Sequence, residues 1–177
     1  MALATEKFIL GVGTLEPRKN FKTLIEAFSL FHKKHPNVSL LIAGGKGWKE
    51  KYEVPKNLPI QFLGYAPEHV LKNLYMNARA LVFPSLYEGF GMPPLEAMAL
   101  GCPVVCSNTG SLPEVVGDCA LMIDPNNARE IAEALEKLFG DDDLRTELIT
   151  KGHLRAKEFS WKKSAEELIK LFQKISD

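Results

Sequence analysis

Two carboxylates, Glu88 and Glu96, bracket a loop rich in glycine and proline that leads into a predicted helix. An ionised carboxylate only accepts hydrogen bonds, so it can accept from two neighbouring hydroxyls at once, and sugars and riboses carry such pairs. Gly89 and Gly91 allow the backbone to approach a ligand closely. Taken singly, each carboxylate has a simpler explanation: Glu96 is a favourable charge in a helix first turn, and Glu88 is a solvated loop residue.

Backbone groups of the same loop are candidates for binding as well. The N–H groups of Gly91, Met92 and Leu95 are expected to be available to hydroxyl or phosphate oxygens. Pro93 and Pro94 have no N–H to donate, and proline suits the first helical turn because a missing N–H costs nothing there. The loop therefore predicts a site for a hydroxylated or phosphorylated ligand.

A pair of cations, Arg18 and Lys19, follows a glycine turn and precedes a predicted helix that begins near Asn20. Cations beside the positive end of a helix form a good site for a diphosphate. From their spacing alone, Arg18 and Lys19 could equally be two solvated surface cations with no ligand. The turn begins like the Gly-x-Gly of a dinucleotide fingerprint, but Glu16 occupies the third glycine position, which weakens the interpretation as a nicotinamide dinucleotide site.

Two other motifs look like functional sites but are better explained by local structure. Residues 44–47 read Gly-Gly-Lys-Gly without the spacing of a P-loop, which favours a flexible turn over a loop that contacts the substrate. The three aspartates at 141–143 fall between two predicted helices, where they suit the cap of the second helix better than an acidic metal site.

Apolar runs that alternate with helical patterns define the elements that must position these residues. Strands are predicted at 8–12, 39–43, 60–63, 80–83, 104–106 and 120–123, and helices at 20–35, 67–77, around 95–98, 128–139, 142–157 and 161–174. Apolar strands separated by helices indicate a parallel sheet covered on both faces. The prediction is an α/β fold with a doubly wound, Rossmann-like sheet of about six strands, whose ligands bind beyond the carboxyl ends of the strands.

The composition excludes several classes of function. The 177 residues contain 22 Lys and Arg against 22 Asp and Glu, a balance that argues against electrostatic binding of nucleic acid. Hydrophobic residues make up 46% and charged residues 25%, which is typical of a globular domain. No apolar run reaches the length needed to span a bilayer, and residues 1–7 show no secretory signal.

Three cysteines, Cys102, Cys106 and Cys119, are too few and too irregularly spaced for a disulfide framework or a zinc site. Cys102 and Cys106 flank an apolar segment and are expected to be small core residues. A reducing, cytoplasmic compartment is therefore expected. The sequence does not determine whether a longer enzyme that contains this chain associates peripherally with a membrane.

Five stretches of the chain follow the order of one known family. The segment Glu-Gly-Phe-Gly-Met-Pro-Pro-Leu-Glu-Ala (88–97) resembles the signature of retaining glycosyltransferases of the GT-B type, family 4, also described as glycosyl transferases group 1. Residues 13–20, 43–47, 62–65 and 109–118 resemble other stretches of the same family. The resemblance covers nearly the whole chain and concerns the C-terminal, nucleotide-sugar-binding half of such enzymes.

The resemblance implies a role for each matching residue. Glu88 would contact the donor sugar near the scissile bond, and Arg18 and Lys19 would neutralise the diphosphate leaving group. Glu96 would accept from the ribose hydroxyls, the Phe90–Met92 backbone would hold sugar and phosphate oxygens, and Tyr65 and Ala66 would lie near the base. The implied donor-binding residues are Gly13, Thr14, Tyr65, Ala66, Phe90, Gly91, Met92, Leu95 and Glu96.

One position departs from part of the family. Some members carry an arginine where this chain has Thr14, which supplies a further cation for the diphosphate. A threonine can donate only one hydroxyl hydrogen bond. Arg18 and Lys19 are therefore expected to carry more of the phosphate charge, or the donor is bound differently.

The implied reaction transfers a hexose of the mannose or glucose type from a GDP- or UDP-linked donor to an acceptor, with retention of anomeric configuration. The nucleotide sugar is a substrate, and neither a metal nor another cofactor is required. Residues 1–177 would form one nucleotide-sugar-binding domain without the N-terminal acceptor domain, and this domain alone is expected to be inactive. Helix 161–174 resembles the one that packs back towards that N-terminal half.

Two other classes of function remain open at this level. A nicotinamide dinucleotide-binding domain of an oxidoreductase needs Gly-x-Gly-x-x-Gly and an acidic residue after the second strand, where this chain has Gly44 and Gly45. A non-catalytic interaction module of flavodoxin-like shape needs no cluster of Arg18, Lys19, Glu88 and Glu96. Scattering of those four residues over different faces would favour the interaction module.

Overall fold

Six strands form one parallel sheet in the computed structural model, which describes residues 7–48 and 52–176. The strands are β1 (Lys7–Val12), β2 (Val38–Ala43), β3 (Ile60–Gly64), β4 (Ala80–Phe83), β5 (Val104–Ser107) and β6 (Leu121–Ile123). Their order across the sheet is β3-β2-β1-β4-β5-β6, and each adjacent pair is parallel. The doubly wound, Rossmann-like fold is confirmed. The N-terminal segment 1–6, for which no secretory signal is predicted, lies outside the described residues.

Seven α-helices flank the sheet among the described residues. They are α1 (Phe21–His32), α2 (Glu68–Asn77), α3 (Met92–Ala99), α4 (Leu112–Val116), α5 (Ala128–Gly140), α6 (Asp142–Ala156) and α7 (Trp161–Ser176). Helices α1 to α4 lie between strands along the chain, and α5 to α7 follow β6. The predicted helix at 20–35 is shorter at both ends, because Asn20 has a left-handed backbone (φ 55°) and the chain turns after His32. A 3-10 turn at 17–19 and the short helix α4 were not predicted, since neither is long enough to show a periodicity.

Apolar side chains fill both faces of the sheet. On one face, α1 and α5 cover inward residues such as Ile9 and Val82. On the other face, α2, α3 and α4 cover residues such as Leu10 and Phe83. The three cysteines are free thiols buried in the fold, and the predicted core role of Cys102 and Cys106 is confirmed.

The aspartates at 141–143 begin a helix, as the sequence predicts. The side chain of Asp141 accepts a hydrogen bond from the N–H of Leu144 at 2.8 Å and caps α6. Asp142 pairs with Arg79. The run of acidic residues is therefore accounted for by helix capping and by an ion pair.

The C-terminal helix α7 leaves much of its apolar side exposed. Its apolar side chains, among them Trp161, Leu168 and Phe172, are exposed. Within residues 7–48 and 52–176, no helix combines the length and the apolar character that a membrane crossing requires. α7 thus presents an exposed amphipathic surface.

The strand order places two loops on either side of a crevice. β1 and β4 are neighbours in the sheet, although β2 and β3 lie between them in the sequence. Open α/β sheets bind ligands where the order reverses in this way, beyond the carboxyl ends of the strands. The loop after β1 carries Arg18 and Lys19, and the loop after β4 carries Glu88, so both candidate loops border this crevice.

Residues 44–47, which follow β2, pack directly on the loop after β1. Leu15 forms a parallel bridge with this segment and donates its N–H to the carbonyl of Gly45 at 3.0 Å. A Cβ atom on Gly44 would overlap the carbonyl oxygen of Gly13. These glycines therefore allow two backbones to touch, and the segment is hydrogen-bonded to the loop after β1.

The variant Gly44→Ala should lower the free energy of unfolding by about 2 kcal/mol or more, because its methyl group overlaps backbone that cannot move aside. Gly45→Ala is the matched control, since a Cβ there meets nothing within 4 Å. Urea unfolding followed by circular dichroism measures both variants. Equal stability of the two variants would show that the two loops are not in close contact.

Candidate functional site

The carboxylate of Glu88 lies in the crevice between the two loops, and the residue is only 8% exposed. Lys19 Nζ lies 2.6 Å from Glu88 Oε1, and Arg18 Nη1 lies 2.6 Å from Glu88 Oε2. Two cations from the loop after β1 therefore share one carboxylate from the loop after β4. The interpretation as solvated residues is wrong for Glu88 and for Lys19, whose side chain is 11% exposed, whereas Arg18 keeps 43% of its side chain exposed.

The guanidinium of Arg18 joins three acceptors. Besides Glu88, it donates from Nη1 to the carbonyl of Tyr87 at 3.0 Å and from Nη2 to Glu16 at 2.6 Å. A guanidinium has five N–H donors. Within the described part of the chain, Nε and one N–H of Nη2 are left for a further acceptor. Glu16, the residue that departs from the dinucleotide fingerprint, thus helps to orient Arg18.

The ammonium group of Lys19 is held by an aromatic ring as well as by a carboxylate. Its Nζ lies 4.9 Å from the ring centroid of Phe83, the buried last residue of β4. A cation in this position is attracted by the face of the ring. Gly13 makes room for the aliphatic part of this side chain, since a Cβ there would lie 3.0 Å from Lys19 Cδ. The lysine is therefore fixed in place by the fold.

The pKa of Glu88 is lowered from its ordinary value. Burial alone would raise it, but the hydrogen bond from Lys19, the nearby hydroxyl of Ser85 and the positive charges of Lys19 and Arg18 outweigh burial. Glu88 is accordingly ionised at neutral pH and stays a hydrogen-bond acceptor.

Asn20 links its own loop to two others through its side chain. From the sequence it is predicted only to mark the start of a helix. Its Nδ2 donates to the carbonyls of Pro84 at 3.1 Å and Pro125 at 2.7 Å, and its Oδ1 accepts from Thr23 at 2.7 Å. Asparagine tolerates the left-handed backbone found here better than most residues do. Asn20 thereby fixes the backbone immediately after Lys19 against the loops after β4 and β6.

The loop after β5 supports the Glu88 loop from the other side. Thr109 donates its hydroxyl to the carbonyl of Leu86 at 3.2 Å, and the Ser111 hydroxyl lies within hydrogen-bond distance of the carbonyls of Glu88 and Phe90. Both residues lie in the stretch 109–118 that resembles the family, and the sequence predicts no role for them. The signal in the sequence that could have pointed to this supporting role is a pair of short polar residues on either side of Gly110, just after a strand.

Glu96 lies in a different setting from Glu88. It belongs to the second turn of α3, so its interpretation as a first-turn charge is wrong. Its Oε2 accepts a hydrogen bond from the phenol of Tyr75 at 3.1 Å. Among the described residues, no hydrogen bond or ion pair links Glu96 to Arg18, Lys19 or Glu88. The structure therefore brings together three of the four predicted charged residues and places the fourth on the adjoining helix.

Four other predicted residues follow the carboxyl ends of β1 and β3. The N–H of Gly13 donates to Ala43 at 2.9 Å and is thus used by the fold. Thr14 is exposed, and Ala66 packs against the core. Tyr65 is 80% exposed, so its ring is accessible to a ligand. These residues lie at the predicted edge of the sheet, and their roles stay predictions.

The loop that enters α3 offers fewer N–H groups than expected. Leu95 donates its N–H to the carbonyl of Gly91 at 3.5 Å, so the prediction that this N–H is available is wrong. Met92 begins α3, where an N–H has no carbonyl of its own helix to bond. Gly91 has a φ of 107°, and a Cβ there would lie 2.6 Å from the side chain of Leu112, so glycine is required.

The side chains of the same loop line an apolar groove. Phe90, Met92 and Leu95 face Phe159 and Trp161 across a cavity of about 470 Å³. The rings of Phe90 and Phe159 meet edge to face with centroids 5.6 Å apart. Three predicted donor-binding residues thus contribute their side chains to a groove beside α7.

The arrangement can bind an anion with several oxygens. Arg18 and Lys19 are held in place, retain donors beyond those given to Glu88, and lie at the crevice of the switch point. In the described ranges, no group of three or more His, Cys, Asp and Glu side chains is arranged to hold a metal ion.

Comparison with known sequences identifies relatives along nearly the whole chain. The family model described as glycosyl transferases group 1 matches residues 2–155. The O-antigen chain mannosyltransferase B of Escherichia coli is 39% identical over 178 residues, which cover 97% of this chain and 47% of that protein. The chain spans about half the length of this curated relative.

Solved structures share the fold. Sucrose-phosphate synthase from Thermosynechococcus elongatus superposes with a TM-score of 0.82 at 26% identity, over 98% of this chain and 46% of that one. The C-terminal domain of a glycosyl transferase group 1 family protein from Francisella tularensis superposes with a TM-score of 0.73 at 25% identity, over 86% of both chains. The second comparison matches the present chain to an isolated domain of similar length.

Replacing Glu88 should change the acid sensitivity of the fold. Because the native pKa of Glu88 lies below its ordinary value of 4.5, its pairing is complete above that pH and is lost as the pH falls through the native pKa. The variant Glu88→Gln should be less stable than wild type by about 1–3 kcal/mol at neutral pH, and the difference should narrow in acid.

Urea unfolding measured from about pH 7 down to about pH 3 tests this expectation. Glu26→Gln, at an exposed position of α1, is the control and should follow the wild-type profile. A constant difference between wild type and Glu88→Gln across this range would contradict the ion-paired state of Glu88.

Proposed function

Because the chain belongs to the glycosyl transferases group 1 family, we propose that it is the donor-binding half of an enzyme that transfers a hexose from a nucleotide diphosphate sugar. The observation that carries the proposal is the carboxylate of Glu88 shared by Arg18 and Lys19 at the switch point of the sheet. A diphosphate needs fixed cations in a crevice of this kind.

Arg18 and Lys19 are the proposed diphosphate-binding residues. Negative charge develops on the phosphate as the sugar departs, and cations that are already fixed stabilise it without reorganising. Glu16, Glu88, Tyr87 and Phe83 fix both cations before a ligand arrives. The remaining N–H donors of the two side chains are then available for phosphate oxygens.

We assign the chain to family 4 and the reaction to the retaining class. In this proposal, the bond between the anomeric carbon and the phosphate oxygen breaks, and its electron pair leaves with the diphosphate. The acceptor oxygen bonds to the anomeric carbon on the same face, and its proton passes to the departing phosphate oxygen. Glu88 contacts the donor sugar near this bond, and the backbone N–H groups of Gly91 and Met92 bind sugar and phosphate oxygens.

Glu96 is the proposed acceptor for the ribose hydroxyls, and the exposed ring of Tyr65 is proposed to lie near the base together with Ala66. The relative named as a mannosyltransferase favours a mannose-type sugar for this chain. GDP and UDP are the two candidate nucleotides.

The acceptor side of the reaction is proposed to come from a second domain. The chain covers 47% of the mannosyltransferase and 46% of the sucrose-phosphate synthase with which it aligns. The exposed apolar face of α7 and the groove beside it are surfaces against which such a domain can pack. The chain by itself is therefore expected to bind the donor and not to transfer sugar.

The structure favours this proposal over the two other classes. Glu16, at the third glycine position of the dinucleotide fingerprint, is a partner of Arg18, so a carboxylate would face a dinucleotide pyrophosphate there. A flavodoxin-like interaction module would not require Arg18, Lys19 and Glu88 to meet. Membership in the family adds to both arguments.

Calorimetric titration of the 177-residue chain should detect binding of UDP or GDP. The corresponding monophosphate should bind about tenfold more weakly, because it lacks one of the charged phosphate groups. No sugar transfer to water or to simple sugars should accompany binding. Measurable turnover by the chain alone would disprove the need for a second domain.

The variant Lys19→Ala should reduce the preference for diphosphate over monophosphate about tenfold. Lys22→Ala, which removes the same charge from an exposed position of α1, should leave the preference unchanged. A similar effect in both variants would indicate general attraction by positive charge and not a built diphosphate site.

The variant Glu96→Ala should weaken nucleotide binding by about 1–3 kcal/mol, because hydrogen bonds from hydroxyls to a charged acceptor are lost. Titration of the nucleotide that binds wild type measures the change. Unchanged affinity would remove the ribose role from Glu96.

A further inference from the structure

Tyr75 lies in α2 and is one of the largest fully buried side chains of the fold, with 2% of the residue exposed. Its phenol oxygen donates a hydrogen bond to Glu96 Oε2 at 3.1 Å, across the boundary between α2 and α3. From the sequence, residues 67–77 are predicted only as a helix, and Tyr75 has no assigned role. The structure places it against a candidate ligand-binding carboxylate.

Packing alone does not explain a tyrosine at this position. A phenylalanine would fill the same apolar space, and a buried hydroxyl destabilises a fold unless it has a partner. Here the partner is Glu96, a residue of α3 that is only partly buried. The hydroxyl therefore connects the core to a partly buried carboxylate.

The direction of the hydrogen bond is fixed by the chemistry of the two groups. Burial raises the pKa of Tyr75, and the nearby negative charge of Glu96 raises it further. The phenol thus keeps its proton and acts as the donor, while the ionised carboxylate can only accept. One oxygen of Glu96 is held by this bond, and lone pairs on both oxygens remain for other donors.

We propose that Tyr75 is a positioning residue for ribose recognition, in which its buried phenol holds one oxygen of Glu96 so that the carboxylate accepts from two adjacent ribose hydroxyls. The inference rests on the proposed function, because it requires Glu96 to be the ribose acceptor. Glutamate has three side-chain torsions, and a carboxylate that is already oriented loses less freedom when the ligand binds. Tyr75 should therefore increase selectivity for ribonucleotides over deoxyribonucleotides.

The test compares wild type with Tyr75→Phe in calorimetric titrations against UDP and GDP and against their 2′-deoxy and 3′-deoxy analogues. For wild type, removal of one ribose hydroxyl should weaken binding about tenfold. Tyr75→Phe should weaken binding of the ribonucleotide about 3- to 10-fold while changing the affinity for the deoxy analogues much less. The ratio of the ribonucleotide affinity to the deoxynucleotide affinity is then smaller in Tyr75→Phe than in wild type.

A double-mutant cycle separates positioning from packing. In the Glu96→Gln background, Tyr75→Phe should have little further effect on nucleotide affinity, because an amide in place of the carboxylate has already weakened the contact that Tyr75 supports. Urea unfolding of each variant checks that the fold is retained. Since Tyr75→Phe removes one oxygen and keeps the ring, we expect a folded protein.

Three outcomes would overturn the proposal. If Tyr75→Phe keeps the wild-type preference for the ribonucleotide, Tyr75 does not position Glu96, and the donor-binding function stands. If Tyr75→Phe weakens ribonucleotide and deoxynucleotide equally, its role is structural. If wild type binds no nucleotide, or binds ribonucleotide and deoxynucleotide alike, the ribose role of Glu96 fails and the inference fails with it.

Discussion

The shared carboxylate of Glu88 is the interaction on which the site depends. A carboxylate that is 8% exposed needs positive partners, and here both come from a loop about seventy residues earlier in the chain. The adjacency of β1 and β4 at the switch point brings the two loops within hydrogen-bond distance. The hydrogen bonds that Glu88 accepts also orient the side chains of Arg18 and Lys19. The same bonds therefore hold the two loops together and fix the two cations in place.

Neutral groups hold the charged ones in place. Asn20 ties the end of the first loop to two other loops, and Thr109 and Ser111 fasten the Glu88 loop from the side of β5. Beneath the first loop, Gly44 permits direct contact between two backbones. A ligand-binding loop held by several neighbours does not have to order itself when a ligand arrives, and this lowers the free-energy cost of binding.

The proposed function divides the recognition of the diphosphate and of the ribose hydroxyls between two neighbouring parts of the fold. The cations and Glu88 lie on loops at the switch point, while Glu96 lies on α3 with a buried phenol from α2 behind it. Beside them, the groove between α3 and α7 is apolar and open. The chain spans about half the length of the mannosyltransferase and of the sucrose-phosphate synthase, and in the proposed function a second domain packs against these surfaces.

The sequence alone determined the fold class, the position of every strand to within one residue at each end, and the family. Apolar runs and helical spacing are local patterns, and the glycine and proline loop is a local motif. Only the tertiary structure decided that Glu88 is buried with Arg18 and Lys19, that Gly44 supports the first loop, and that Tyr75 bonds to Glu96. Those contacts join residues far apart in sequence, and their partners depend on strand order, which apolar periodicity does not specify.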